Sequence, residues 1–177
     1  MATKEDFNRQ LKLGKAGEKK IFEYLNNLPD TVDVIDVSEH KHFQNWGVDG
    51  VLLEDIDRYP LNFTPFDVKT DFQHHTTGKL FLETTSSMGR EGGILSTKAQ
   101  VFYYYDPFDG LLFNVPIYSV QRWYEREGIA YAHKKVKTIG GKDEGTIGIA
   151  ISPEQLIEDG VPITIKDIGP LDPSDYN

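Results

Sequence analysis

Two residues of opposite charge stand one position apart in the segment PFDVKT, residues 65–70. Strand alternation would place Asp67 and Lys69 side by side on one face. Carboxylate oxygens suit Mg²⁺ or Mn²⁺, and a neighbouring ammonium can orient water or balance the charge of a phosphoryl group. The pair therefore indicates metal-assisted displacement at phosphorus. Taken alone, a D-x-K pair is also typical of an ion pair on an exposed strand.

Two more carboxylates stand in apolar surroundings. Asp49 interrupts WGVDGVLL, residues 46–53, which is otherwise apolar on both faces and predicts a central strand. A charge there needs a partner or a metal. Glu18 lies within an amphipathic helix predicted over 6–28, and it either reaches solvent at the edge of the apolar stripe or faces a cation or a site. The stripe is formed by Phe7, Leu11, Gly14, Glu18, Ile21, Leu25 and Leu28.

The order of these residues is an acid on a helix, an acid on a buried strand and D-x-K on the next strand. It resembles the PD-(D/E)xK nuclease superfamily, which includes restriction endonucleases, Holliday-junction resolvases and phage endonucleases. The resemblance rests on AGEKKIFEYL, WGVDGVLL and FDVKTD and spans residues 14–105. Val48 stands where many members have a proline before the first acid.

The resemblance implies a role for each of these side chains. Asp49 and Asp67 would bind Mg²⁺ or Mn²⁺, and we expect the backbone carbonyl of Val68 to help them. Lys69 would assist the attacking water, and Glu18 would support the metal or its water. The expected fold is a restriction-endonuclease-like α/β core, with a central mixed sheet flanked by helices. The expected activity is metal-dependent endonucleolytic hydrolysis of DNA.

The charge of the chain departs from this expectation. The net charge is −9, whereas phosphate binding normally needs a basic face. The acid is concentrated in residues 29–57 and 153–177, while 1–28 and 90–142 are net positive, so a basic face remains available. The alternative is a nuclease fold that no longer cuts and serves as a binding or structural protein, or as an acidic DNA mimic.

Further polar residues are candidates for secondary roles. Glu83, in KLFLETT, is either an additional ligand or a cross-strand partner of a lysine. The resemblance places phosphate-contacting groups at 96–100, where a polar helix cap is the other interpretation. A basic loop at 133–145 is either a phosphate-backbone patch or a solvated loop. The residues concerned are Ser96, Thr97, Lys98 and Gln100 in the first segment, and Lys134, Lys135, Lys137 and Lys142 in the second.

Histidines and tyrosines invite other interpretations. The pairs His40/His42 and His74/His75 lack a cysteine or a clear third ligand, so we expect loop histidines in solvent rather than zinc ligands, with the second pair close enough to touch substrate. The run of three tyrosines at 103–105 suggests base stacking, but alternation on a strand favours core on one side and surface on the other.

Length and composition set the wider frame. The 177 residues suit one domain over 1–168, followed by an acidic tail at 169–177 that we expect to fray. The absence of cysteine excludes disulfides, thiolate zinc sites and cysteine nucleophiles. With no apolar run near 18 residues and no secretory signal, we expect a cytoplasmic protein without a membrane partner. Resolvase-like cutting would imply a homodimer, for which the sequence shows no face.

The remaining pattern predicts mixed helices and strands. Strands are predicted at 31–37, 46–53, 65–70, 79–85, 111–117 and 146–151, and a helical turn that runs into a strand at 96–106. Helices are predicted at 119–127, beginning at a serine cap, and at 152–160.

Overall fold

The computed structural model describes residues 4–55, 61–86, 89–131, 134–136 and 145–175. The helices are α1 (Lys4–Asn26), α2 (Lys41–Trp46), α3 (His74–Thr77), α4 (Ile117–Arg126) and α5 (Pro153–Glu158). The strands are β1 (Thr31–Asp36), β2 (Gly50–Glu54), β3 (Asn62–Thr70), β4 (Leu80–Thr85), β5 (Val101–Tyr105), β6 (Leu111–Pro116), β7 (Lys134–Val136), β8 (Thr146–Ile151) and β9 (Thr164–Asp167).

Six of these strands form the central sheet, in the order β1-β2-β3-β5-β6-β9. Neighbours are antiparallel except β3 and β5, which run parallel with Asp67 beside Phe102 and Lys69 beside Tyr104. A parallel pair needs a crossover, and here the crossover contains β4, which leaves for a second sheet of order β4-β8-β7. The expected α/β class, with a mixed central sheet flanked by helices, is confirmed.

Helix α1 covers one face of the central sheet. Its buried row is Leu13, Gly17, Ile21 and Leu25, so the apolar face is rotated from the predicted stripe, and Leu11 is 52% exposed. A Cβ at Gly17 would collide with the Thr70 side chain, so the glycine lets the helix lie close to β3. Glu18, next to this row, is therefore held at its flank, half-buried.

The opposite face of the central sheet packs against the second sheet and α4. The large buried side chains there include Phe102, Tyr104, Phe113 and Trp123. Because both faces of β5 are covered, all three tyrosines at 103–105 are buried, and none of them is the expected surface tyrosine. The Tyr104 hydroxyl donates to the Phe81 carbonyl at 3.0 Å, which ties β5 to β4.

Several predicted boundaries are wrong. The strand predicted from residue 46 begins at Gly50, because Trp46 ends α2 and Gly47 closes it in the left-handed region with φ 61°. Ser119 is inside α4 rather than capping it, since the helix begins at Ile117 after Pro116. Ser152 does cap α5, because its side chain accepts the Gln155 N–H as predicted.

Two strands and a packed tail were not predicted. Residues 134–136 form β7 within the expected basic loop, and β9 is an edge strand that is exposed throughout. The segment from Gly169 was expected to fray, but Leu171 is buried and its N–H donates to the Pro107 carbonyl. The Tyr105 hydroxyl also donates to the Gly169 carbonyl at 2.8 Å, so at least this part of the tail packs on the sheet.

Candidate active site

The candidate site lies where β2 stops beside β3. The Asp49 N–H donates to the Phe66 carbonyl at 2.9 Å, which is the last step of that ladder. One step further along β3 no β2 residue stands opposite, and the Val68 N–H donates to Asp49 Oδ2 at 2.8 Å. Strand alternation directs the Val68 carbonyl to this same edge. The end of β2 thus fixes the Asp49 carboxylate against the backbone of β3.

Asp67 and Lys69 form an ion pair on the β3 face that looks toward the second sheet. Lys69 Nζ lies 2.7 Å from Asp67 Oδ1 and 5.6 Å from the centroid of the Phe102 ring. Asp67 is buried, with 4% of its surface exposed, whereas the Lys69 side chain is 39% exposed. The carboxyl groups of Asp67 and Asp49 are within hydrogen-bonding reach of each other. The site therefore joins two carboxylates and one ammonium.

The two aspartates have too little positive charge around them. Burial raises the pKa of Asp67 to about 7, and although the Lys69 ammonium lowers it, the nearby Asp49 charge and hydrogen bond raise it further. Two carboxylates that share a site hold a proton more tightly than either does alone. Near neutral pH, Asp67 is therefore partly protonated in the absence of another cation.

Glu18 and Glu83 extend the acidic field from two different elements. Burial raises the pKa of Glu18, and the charges of Asp49 and Asp36 add to the rise. Burial also raises the pKa of Glu83 on β4, against the attraction of Lys69.

Lys69 stays a cation in this field. Burial lowers its pKa, but attraction by Asp67, Asp49 and Glu83 outweighs that effect, and the net shift is upward. All four residues predicted to be catalytic, together with Glu83, therefore belong to one electrostatic cluster.

Asp36 was missed at the sequence level, although antiparallel pairing of 31–37 with the next strand could have placed it opposite Gly50, beside Asp49.

A cleft of about 310 Å³ opens beside this cluster. We call it the site cleft. It lies between the α1 residues Gly14, Lys15 and Glu18 and the β3 residues Val68, Lys69 and Thr70. Lys69 and Glu18 both line this cleft, so a ligand there would lie between the two residues.

Residues 96–100 run alongside the chain that enters the site. The Lys98 N–H donates to the Trp46 carbonyl and the Gln100 N–H to the Pro65 carbonyl, both at 2.7 Å. Lys98 and Gln100 are exposed, as substrate contacts must be, and so is Ser96. Thr97 is buried and its hydroxyl donates to the Gly47 carbonyl at 2.8 Å, which makes it a structural residue.

Two lysines of the predicted basic patch, Lys134 and Lys135, lie on the outer strand of the second sheet. Lys134 pairs with Gly148 and Lys135 with Ile147, and Gly148 in turn pairs with Glu83 on β4. The Lys134 backbone is therefore two strand spacings, about 10 Å, from that of Glu83. Lys137 and Lys142 lie outside the described residues.

Four of the five histidines lie in the described part of the chain, three of them exposed and one buried. His40, His42 and His75 are exposed, as expected. His74 is buried, contrary to expectation, with Nδ1 2.9 Å from Asp106 Oδ2 and its ring against Phe113. It therefore does not face a substrate.

The donor set of the aspartate pair fits a hard divalent cation. Asp49, Asp67 and the Val68 carbonyl offer oxygen ligands, which Mg²⁺ and Mn²⁺ prefer, and the pair has an excess of negative charge that such an ion would offset. The set is limited to these three groups, however. In the described part of the chain, only His74, Asp106 and Asp109 bring three ligand atoms within 4.8 Å of one another. Glu18 and Glu83 therefore stand back from a shared ion and are suited to contacts through water.

No family model matches the chain, and neither the curated proteins nor the solved structures give a match. The resemblance to PD-(D/E)xK nucleases therefore depends on the site residues and their order along the chain. Among the described residues, no helix combines the length and the apolar character that crossing a membrane requires.

Proposed function

We propose that this protein is a divalent-metal-dependent nuclease that hydrolyses phosphodiester bonds in DNA. The observation that carries the proposal is the contact between the buried Asp67 and Asp49, with Asp49 held by the Val68 N–H and Lys69 paired to Asp67. A fold gains no stability from a buried carboxylate held against a second, half-buried one, because each disfavours the charge of the other. Such a pair is typical of a cation site.

The residues assigned to the metal are Asp49, Asp67 and the Val68 carbonyl. When bound, Mg²⁺ or Mn²⁺ would supply a water of lowered pKa and stabilise charge on the oxygens around phosphorus. Asp67 must lose its proton to serve as a ligand, so metal affinity should weaken as the pH falls below about 7.

Lys69 acts as a cation rather than as a base in this proposal. Its raised pKa keeps the ammonium protonated, and its partly exposed side chain can direct N–H donors to a water or to a phosphate oxygen. Glu18, across the site cleft, can accept a hydrogen bond from the same water and restrict its orientation. The exposed Lys98 and Gln100 are proposed to contact the substrate backbone.

The deciding experiment measures nicking of supercoiled plasmid with Mg²⁺, with Mn²⁺ and with EDTA. We expect metal-dependent cutting by the natural chain and a loss of at least ~10²-fold in Asp67→Asn and in Lys69→Gln. Lys79→Gln is the matched control, because Lys79 is exposed on the loop before β4 and should cut normally.

Two results would contradict the proposal. Normal cutting by Lys69→Gln would remove that residue from the reaction. Failure of the folded natural chain to cut plasmid, duplex, single-stranded or junction DNA with either metal would favour the alternative of a nuclease fold that binds without cutting. The net charge of −9 would then point to basic partners or DNA mimicry.

A further inference from the structure

A second groove runs along α1, next to the site cleft but outside the cluster of acids. It has a volume of about 380 Å³, and its lining includes Lys12, Lys15, Lys19 and Lys20. We call it the lysine groove. Successive steps of three and four residues bring the first three lysines onto one side of the helix. Their presence on one face follows from helical spacing, a signal that was already present in the sequence.

The lysine groove joins the site cleft at Lys15. This residue lines both cavities, and the cleft continues from it to Glu18 and Lys69. The charge of Lys15 also acts on Glu18, where it opposes the rise in that carboxyl's pKa. A ligand that follows α1 from Lys19 toward Lys15 therefore reaches the candidate catalytic residues without crossing another element.

The charge of this helix is opposite to that of the chain as a whole. Residues 8–22 contain five basic residues and one acid, a net +4, in a chain of net charge −9. Glu23 and Asp175 also line the lysine groove, so the four lysines exceed its acids by two. The ion pair of Lys19 with Glu23 spans 3.7 Å between side chains that are 79% and 59% exposed, and exposed pairs of this kind hold a lysine weakly.

The spread of the lysines favours an extended polyanion over a single phosphate. Lys12 and Lys20 are eight residues apart, which is about 12 Å along a helix axis. Flexible ammonium groups arranged in a row neutralise successive phosphates and read no base. The lining also includes Ala16 and Leu171, but Leu171 is buried, so this lining presents no exposed large apolar side chain for insertion into a lipid surface.

We infer that the lysine groove on α1 binds the phosphodiester backbone of the substrate strand and leads it to the site cleft. This inference rests on the proposed function and extends it to a substrate-binding surface.

The test compares two double variants with the same change in net charge. Lys12→Gln/Lys19→Gln alters the lysine groove, whereas Lys79→Gln/Lys166→Gln removes two exposed lysines elsewhere. Binding of a fluorescein-labelled 20-base-pair DNA duplex is followed by anisotropy in EDTA, from low to moderate salt, so that no strand is cut. Far-UV circular dichroism and melting temperature establish that all chains fold.

We expect the groove variant to lose about tenfold or more in affinity at low salt. The slope of log affinity against log salt should become less steep by about two, because two phosphates would no longer be neutralised by the protein. The control variant should keep its slope. Equal losses in both variants would overturn the inference, as would a natural chain that binds phosphatidylserine vesicles more tightly than DNA.

The outcomes separate this inference from the proposed function. Lys69→Gln should fail to cut DNA that it still binds, whereas the groove variant should bind DNA poorly and lose cutting in proportion to its loss of binding. If the natural chain binds DNA without ever cutting it, and the groove variant binds poorly, the lysine groove is supported and the proposed hydrolysis is refuted. If the natural chain cuts DNA and the groove variant binds and cuts it as the control variant does, only the proposed role of the lysine groove is refuted.

Discussion

Two buried aspartates in this molecule, Asp106 and Asp67, have contrasting surroundings. Asp106 is fully buried, and its Oδ1 accepts the N–H groups of Phe108 and Asp109 while its Oδ2 lies 2.9 Å from His74 Nδ1. Asp67 is almost as buried, but its neighbours are one lysine and a second carboxylate. Hydrogen bonds from the fold account for the carboxylate of Asp106, whereas that of Asp67 has one ammonium beside it and faces a like charge.

This difference distinguishes a carboxylate that is buried to support the fold from one that is buried to serve a function. A buried carboxylate that holds a turn and a histidine contributes to stability, because each of its hydrogen bonds replaces one to water. A buried carboxylate placed against another costs stability and is retained where an external cation is needed. The trio of His74, Asp106 and Asp109 has the tighter ligand spacing, yet its hydrogen bonds already account for its geometry.

The largest expected effect on stability is at Asp106, the aspartate whose hydrogen bonds come from the fold. Asp106→Ala should lower the free energy of unfolding by ~3 kcal/mol, because the buried His74 ring and the N–H groups of Phe108 and Asp109 lose their partner. Urea denaturation measures this loss. Asp109→Ala, at the exposed neighbour, is the control and should change stability by less than ~0.5 kcal/mol. Equal losses would mean that the two residues act as one unit, as in a metal site.

Asp67→Asn should have the opposite sign and a strong pH dependence. The pKa of Asp67 is about 7 in the folded chain, and that of an unfolded aspartate is about 4. Between these values the native state binds more protons, so stability falls as the pH rises through this window. Asp67→Asn should therefore unfold like the natural chain at pH 4 and be more stable by ~1–3 kcal/mol at pH 8.

The control for this profile is Asp33→Asn. Asp33 is exposed on β1, so its replacement removes the same charge from a position outside the site. Parallel pH profiles for the natural chain and Asp67→Asn would show that Asp67 is not the group that titrates.

A divalent ion bound beside Asp67 should offset the negative charge that the fold leaves there. With Mg²⁺ at ten times its dissociation constant, the native state gains ~1.4 kcal/mol, which is about 3–5 °C in melting temperature at pH 8. The rise should shrink at pH 5.5, where Asp67 is protonated, and vanish in Asp49→Asn and Asp67→Asn. A rise that persists in both variants would place the metal elsewhere.

The smallest effect is expected at Glu18. Its pKa is raised by burial and by Asp49, but the side chain is only half-buried and solvent screens much of the repulsion. Glu18→Gln should stabilise the metal-free chain by ~0.3 kcal/mol at pH 8, as measured by the urea midpoint. Glu23→Gln, on the exposed side of the same helix, should not stabilise it.

The sequence was sufficient for what local pattern determines. The amphipathic period predicted α1, and alternation with a buried acid predicted the faces of β3 and the position of Asp67 beside Lys69. The order of Glu18, Asp49 and Asp67 was enough to bring these residues together in one hypothesis. The first two inferences depend on interactions within a segment or between neighbouring strands, whereas the grouping of Glu18 with the two aspartates came from the resemblance.

What could not be predicted depends on distant segments. His74 is buried only because Asp106, 32 positions later, reaches it, and no local spacing shows this. The tyrosines at 103–105 lie between two layers because β4 leaves the central sheet. Strand β9 has no apolar pattern and is defined by backbone pairing with β6 alone. The rotation of α1 follows from the close approach of Gly17 to Thr70.

The crossover through β4 also sets an order of events during synthesis. Strand β3, which contains Asp67, pairs with β2, which begins directly after Asp49, within about twenty residues of chain. By contrast, Leu80 and Leu82 of β4 find their partners at Ile151 and Ile149. Pairing over such separations is slow, because a long loop must close before the two strands can form hydrogen bonds. As the chain leaves the ribosome, the two aspartates are therefore positioned early, and the wall that holds Glu83 is completed only after β8 has emerged. A chain interrupted before residue 146 would have the acids of the site without the sheet that encloses them.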